Sequence, residues 1–406
     1  MSITRPFTTR TLRRSLIGSL SIFAIVPLLY FAACSSSDDS GGGSAPPPSN
    51  NTPTGAANQF TYVAASGASE IQAYSMDGNG NITKIGGSIA TGVLPHHVDV
   101  DPAGRFVYVS NHDSSFVSGW RINTDGSLDP INPAVTGSPV TADVEPHSSI
   151  IDRSGEFLYV VSGTGASTLR AYKIDTTTGP ARGTPAPIAG QNFAVGTHGH
   201  NVTISPNNQF LYVASEGIPG AANGEVHAFS RDTTTGMLTA RNVIGGLETC
   251  DAVTVSNDNR FLFAAHVNAV DVFSIGADGS LTPIAPVSSF STNNFGFGSG
   301  PHSIALHPNG LTLYTANINP TPGRVSVFGV NVATGVLTEL QPNPPPATGT
   351  FPNYIAIHPN GLFLFTADQG PGALSRFPIN ADGTLAPATV IPNTGAGTNA
   401  MGITKF

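Results

Sequence analysis

The chain has 406 residues, only 10% of them charged, with three lysines and a formal net charge of −8. A surface so sparing in charge and acidic in balance, with no basic stripe, excludes a nucleic-acid binder held by phosphate contacts. The 46 glycines and 33 prolines would mean disorder if they carried no period, and they carry one.

Residues 1–33 read as an export signal. Arg5, Arg10, Arg13 and Arg14 stand there without an acid and are followed by the apolar run LIGSLSIFAIVPLLYFAA, the order of basic region, apolar core and small-residue end that export requires. Loss of these four charges leaves the mature chain at −12. The junction Phe31-Ala32-Ala33-Cys34 resembles a bacterial lipoprotein cleavage site, with Cys34 as the lipidated first residue and Phe31 where leucine is usual. Residues 34–58, SSSDDSGGGSAPPPSNN and onward after the cysteine, then form a flexible tether. A plain secretory signal and an apolar anchor of about 18 residues, near the lower limit for a spanning helix, are the alternatives. Arg13-Arg14 also resembles a twin-arginine signal, although Leu12 and Gly18 fit it poorly, and the export route stays open. The reading places the protein in the bacterial cell envelope, attached to a membrane only through the anchor.

Residues 59–406 repeat a unit of about 50 residues. Its copies include PHHVDVDPAGRFVYVSN from Pro95, PHSSIIDRSGEFLYVVS from Pro146, THGHNVTISPNNQFLYVAS from Thr197, ETCDAVTVSNDNRFLFAAH from Glu248, GPHSIALHPNGLTLYTAN from Gly300 and FPNYIAIHPNGLFLFTAD from Phe351. The first copy, NQFTYVAAS from Asn58, lacks a leading strand, and the tail at Thr398–Phe406 supplies one. Period-two runs such as Val98, Val100, Phe106 and Tyr108, broken by DPAG-like turns, are short strands. Asp77-Gly78, Asp125-Gly126, Asp278-Gly279 and Asp382-Gly383, with Thr178-Gly179, Thr235-Gly236 and Thr334-Gly335 in the other units, suit tight hairpins, being too short to cage calcium. A four-stranded unit of this size cannot bury its faces alone, so the expectation is an all-β, seven-bladed β-propeller of four-stranded blades. The C-terminal strand completes blade 1 and removes the exposed edges. Once Cys34 is lipidated, Cys250 is the remaining thiol, so no intramolecular disulfide is available and Cys250 reads as a small core residue. Trp120 reads as packing, and Arg105 and Arg260 as solvated residues beside the first turns.

In such a blade the start of the first strand and the end of the second lie on one face of the disc. That gathers His96, His147, His198, His302, Asn353, Thr249 and Asn399 with Asn111, His112, Glu216, His266, Asn317 and Asp368 in a polar collar at the channel mouth, the default site. The loops GIPGAANGE from Gly217 and NINPTPGR from Asn317 lie on the same face and could rim a ligand. Repeated Pro-His can serve each blade structurally, so departures from the repeat are the better candidates. Blade 4 has a second histidine, His200, and a glutamate, Glu216, after its second strand. A carboxylate beside an imidazole orients the ring and tunes it toward neutrality.

The unit PHxxxxDPxGRFxYVxN, seven times over, resembles the seven-bladed propeller lactonases, the group that includes one form of 6-phosphogluconolactonase and the propeller muconate lactonizing enzyme. The resemblance implies hydrolysis of a sugar-type lactone without a cofactor. It implies His147 and Glu216 as the acid/base pair, with Ser215 and Gly217 replacing the family's flanking Asn and Leu. Where the family has Arg-His for an anionic substrate, this chain has Gly199-His200. The expected catalytic residues are therefore Glu216, His147 and His200, with Glu216 or His147 activating water. His96, His198, His266, His302, Asn317, Asn353 and Asp368 would contact substrate. Without the arginine, a neutral lactone is favoured over a phosphorylated one. A non-catalytic surface-binding propeller is the competing reading. A histidine-bound metal is set aside because histidines about 51 residues apart on a seven-fold ring should stand too far from one another; no metal is expected, and a monomer is.

Overall fold

The computed structural model describes residues 59–404, apart from 133–137, 142, 219–220, 222, 268, 285–289, 292–299, 320, 341–345 and 371. The export signal, the tether and Cys34 lie outside the described residues. Seven antiparallel sheets surround one axis. Blade 2 runs outward from that axis as Pro95–Val100, Phe106–Asn111, Phe116–Ile122 and Leu128–Pro130. Blades 3 to 7 begin with first strands at Pro146–Ile151, Gly199–Ile204, Cys250–Val255, Pro301–Leu306 and Pro352–Ile357. Blade 1 takes its innermost strand from the other end of the chain: Thr398–Ile403 pairs antiparallel with Gln59–Ala65, Tyr62 opposite Gly402 and Val63 opposite Met401. Closure by the C-terminal strand is thus the observed topology.

The turn after each first strand is built alike. Asp101 N donates to Phe106 O at 2.9 Å and Gly104 N to Asp101 O at 2.7 Å, and the equivalents of Gly104 are Gly155, Asn208, Asn259, Gly310 and Gly361. All six have φ between 61° and 74°, which only glycine and asparagine adopt readily. The second turns do more than reverse the chain. Tyr62, Tyr108, Tyr159, Tyr212 and Tyr314, on second strands, donate their buried hydroxyls to the carbonyls of Gly126, Gly183, Gly236, Gly279 and Gly383 in the next blade. The faces between blades are apolar, which is where burial stabilises the ring; Trp120 is buried in one such cluster. Neither Arg260 nor Arg105 is simply solvated: they pair with Asp258 and Asp101, each at 2.7 Å, and each donates to a carbonyl of the next blade, Val332 and Gly155.

Candidate active site

Every first strand carries a β-bulge at its start. Pairing with the second strand skips one residue in each blade: Asn399, His96, His147, His200, Asp251, His302 and Asn353. Bulges re-aim a side chain, and here they form a seven-membered polar ring. Two residues before each bulge the backbone is left-handed, at Gly397, Leu94, Glu145, His198, Thr249, Gly300 and Phe351, with φ from 39° to 62°. Five of those seven are not glycine, and such strain clusters at functional sites.

This register corrects two positions of the expected collar. His200, not His198, is blade 4's counterpart of His96, and Asp251, not Thr249, is that of blade 5. In blades 2 to 7 each ring residue stands five before the residue that opens the turn, Asp101, Asp152, Ser205, Ser256, His307 or His358, and in blade 1 Asn399 stands five before Thr404, whose N–H donates to Phe60 O. Counting back from the turn finds Asp251; following the Pro-His spelling misses it. His198 is then an additional imidazole, carried by the left-handed residue ahead of the bulge.

The extra residues of blade 4 meet. His198 Nδ1 lies 2.5 Å from Glu216 Oε2, and His200 Nε2 lies 3.3 Å from Glu216 Oε1. Glu216 N also donates to His198 O at 3.0 Å, which fixes the backbone beneath the pair. His198 and Glu216 keep 12% and 13% of their side chains exposed. His147 is buried, its ring centroid 4.9 Å from that of His198 and 5.7 Å from that of His200. His96 lies 4.7 Å and His112 4.5 Å from His147, and His302 lies 5.8 Å from His200. The imidazoles are therefore not too far apart to share a ligand, contrary to the expectation from their sequence spacing. Seven first strands crowd one narrow axis, and the bulges turn their side chains toward it.

Other expected contacts have different employment. Asn317 donates to Ser326 Oγ at 2.7 Å and accepts from Thr315, and Asp368 accepts from Ser375, Thr366 and Gly349 N. Asn111 likewise bonds Ser118 and Gly92 N. These ends of second strands tie blade strands together. His266 turns to Asp271 of its own blade at 3.3 Å. Asn353 is buried, with Nδ2 donating to Gln369 at 3.2 Å.

The electrostatics divide the cluster. Burial drives His96 and His147 well below the ordinary imidazole range, helped by the neighbouring rings, and brings His302 down to about 4. His200 is lowered by burial in spite of Glu216. Burial also opposes charge on Glu216, but the imidazoles of His200 and His198 at its two oxygens outweigh it, and the carboxyl stays ionised below its usual range. His198 goes the other way: burial lowers it, yet the hydrogen bond and charge of Glu216, with Glu145 beyond, raise it above 6.5. Asp251 is pushed well up by burial and by Glu216. Cys250 is buried and its thiol is driven well above its ordinary value, so it is no nucleophile.

A cavity of about 560 Å³ lies below the ring, starting one residue down at Asn201 and Ala252 and lined further by Arg153, Val255, Leu306 and Ile357. It is separate from the exposed edge of the His198–Glu216 pair, which faces the collar mouth.

Known proteins agree with this architecture. A family described as "Lactonase, 7-bladed beta-propeller" matches over residues 53–216, 188–294 and 287–402. The 6-phosphogluconolactonase of Bacillus subtilis is 26% identical over 308 residues, covering 72% of this chain and 81% of its own. That of Pectobacterium carotovorum is 24% identical over 338 residues, covering 82% and 80%. Among solved structures, the periplasmic gluconolactonase of Pseudomonas aeruginosa superposes with a TM-score of 0.64 at 18% identity, over 86% of this chain and 99% of that one. With the bulged ring, the closing strand and a family match across all seven blades, this chain belongs to the lactonase family of seven-bladed β-propellers.

Proposed function

We propose that the protein hydrolyses a lactone at the collar mouth, with His198 as general base and Glu216 as the group that orients it. The observation that carries this is the 2.5 Å contact between His198 Nδ1 and Glu216 Oε2. It commits Nδ1 to the carboxylate and leaves Nε2 as the nitrogen that can take a proton. Glu216 itself is too weakly basic, being held ionised by two imidazoles; a base poised near neutrality is the more effective one. Water adds to the lactone carbonyl as His198 Nε2 accepts its proton. The tetrahedral intermediate then collapses, the ring C–O bond breaks, and the same proton passes to the departing alkoxide, giving the open hydroxy acid.

The substrate this site favours is a neutral sugar lactone of the gluconolactone type. No lysine or arginine stands in the ring of seven bulge residues. At the position of the family's arginine, a Cβ on Gly199 would meet Val161 at 2.6 Å. A side chain there would have to displace the Val161 and Ser167 side chains of blade 3.

The test is hydrolysis of glucono-δ-lactone and its 6-phosphate by the purified chain, corrected for spontaneous opening. His198→Gln and Glu216→Gln are each expected to lower kcat by at least about 100-fold, with the neutral lactone preferred. No turnover above background on either lactone would sink the reading and leave a binding propeller. Export and anchoring are part of the same proposal, supported by residues 1–33 and Cys34 and by the periplasmic setting of one structural neighbour. Labelling by a palmitate analogue should be lost in Cys34→Ala.

A further inference from the structure

Three electron-pair donors converge at the inner side of Glu216. One ring nitrogen of His200, one Glu216 oxygen and one Asp251 oxygen lie within 4.8 Å of one another, and Nε2 is 3.3 Å from Glu216 Oε1. The tautomer of His200 follows from its other nitrogen. Nδ1 is 2.8 Å from Asp251 O, and a backbone carbonyl can only accept, so Nδ1 carries the proton. Nε2 then presents a lone pair, is buried, and has no hydrogen-bond partner. It faces Glu216 Oε1 at 3.3 Å, an acceptor too, with an Asp251 carboxyl oxygen in the same cluster. A buried lone pair facing a carboxylate oxygen is unfavourable unless a cation or a proton lies between them, and three convergent ligand atoms suit a metal cation.

We infer that His200, Glu216 and Asp251 bind a divalent transition-metal ion of the zinc type. The carbonyl of Asp251 holds the imidazole in the tautomer and orientation that a ligating histidine needs. One nitrogen and two oxygens from the protein leave a fourth position open, the pattern of catalytic rather than structural zinc. Calcium and magnesium fit less well, since they take six or more oxygens or a nearly all-oxygen octahedron. Glu216 is shared: Oε1 faces the ion while Oε2 holds His198. The ion would supply, beside the lactone carbonyl, the positive charge that the family's arginine cannot supply here, polarising the oxygen as a Lewis acid. Metal binding itself does not depend on the substrate being a lactone.

The untagged full-length protein, stripped with chelator and desalted, is titrated with zinc chloride by calorimetry, with metal content measured by mass spectrometry. We expect one zinc per chain with a Kd on the order of 1 µM or tighter. Asp251→Asn and His200→Gln should each weaken binding by at least about 100-fold. His227→Gln, whose ring pairs with Glu225 away from the ring, should bind as the parent does. Absence of saturable binding up to about 1 mM zinc, far above the range of built sites, would overturn the inference, as would unchanged binding in both ligand variants. If neither variant folds, cobalt(II) added to the parent protein decides: visible d–d bands are expected, and their absence would overturn it. Zinc binding without lactone turnover would keep the site and remove the hydrolase reading. Turnover by metal-free protein that binds no zinc would do the reverse.

Discussion

His198 and Glu216 form a pair in which each residue sets the state of the other, and that gives the activity a readable pH dependence. The base must be neutral, so the rate rises as pH passes upward through the pKa of His198, which stands above the ordinary 6.5 because Glu216 and Glu145 favour its charged form. The groups around it are Glu216, Glu145, and the rings of His147 and His200. An ascending limb with its midpoint above 6.5 is expected in kcat/KM. Glu216→Gln removes the anion and should move that midpoint to lower pH as well as lowering the rate; a midpoint that stays put would mean another group titrates. In sequence terms, Glu216 and the second histidine of blade 4 were visible as departures from the repeat. Which histidine is the extra one was not, because Thr-His-Gly-His reads in either register until the bulge is seen.

Between elements, the ring is tied by contacts that recur from blade to blade. Tyr212→Phe deletes the hydroxyl and leaves the buried carbonyl of Gly279 unpaired, a loss of about 1–3 kcal/mol, read as a lower urea midpoint at unchanged slope. Gly279→Ala should cost more: its φ is 89° and a Cβ would lie 2.4 Å from Phe210. Blades 3 and 4 also share a fully buried pair, Arg231 with Asp152 at 2.7 Å, while Arg231 Nε donates to Tyr159. Arg231→Met leaves Asp152 buried without its counter-charge, though still accepting from Ser154, Glu156 N, Phe157 N and Asn208, and up to about 3–5 kcal/mol is expected to be lost, measured by the same titration. The turn glycines are legible locally as hairpin residues. Their second role, as acceptors for a tyrosine 64–77 residues earlier, belongs to pairs that no local pattern joins.

For the whole molecule, the channel concentrates buried imidazoles. His96, His97, His147, His200 and His302 all have their folded pKa values depressed, with His97 down to about 3. They stay neutral in the fold but take up protons once unfolded below about 6.5. The unfolded state then binds more protons, and stability falls as pH drops through this window. Asp99 and Asp251, raised by burial, act with the opposite sign and offset part of the slope. Tm should fall by several degrees between pH 7 and pH 5, with net proton uptake on unfolding measured by calorimetry in buffers of different ionisation heat. A flat Tm over this range would show that the channel rings are solvated.

The sequence alone determined the number of blades, the strand order, the turn residues and the closing strand, because repeat period, alternation and left-handed turn positions are local properties written in every unit. It also determined that blade 4 differs. Tertiary structure decided which side chains meet: a one-residue bulge in each first strand sets the seven-membered ring, substitutes Asp251 for Thr249, and brings imidazoles from separate blades to within 4.5–5.8 Å. Distances across a closed ring depend on how narrow its axis is and how each strand is twisted at its start, and those are set by packing of all seven blades together rather than by any one of them.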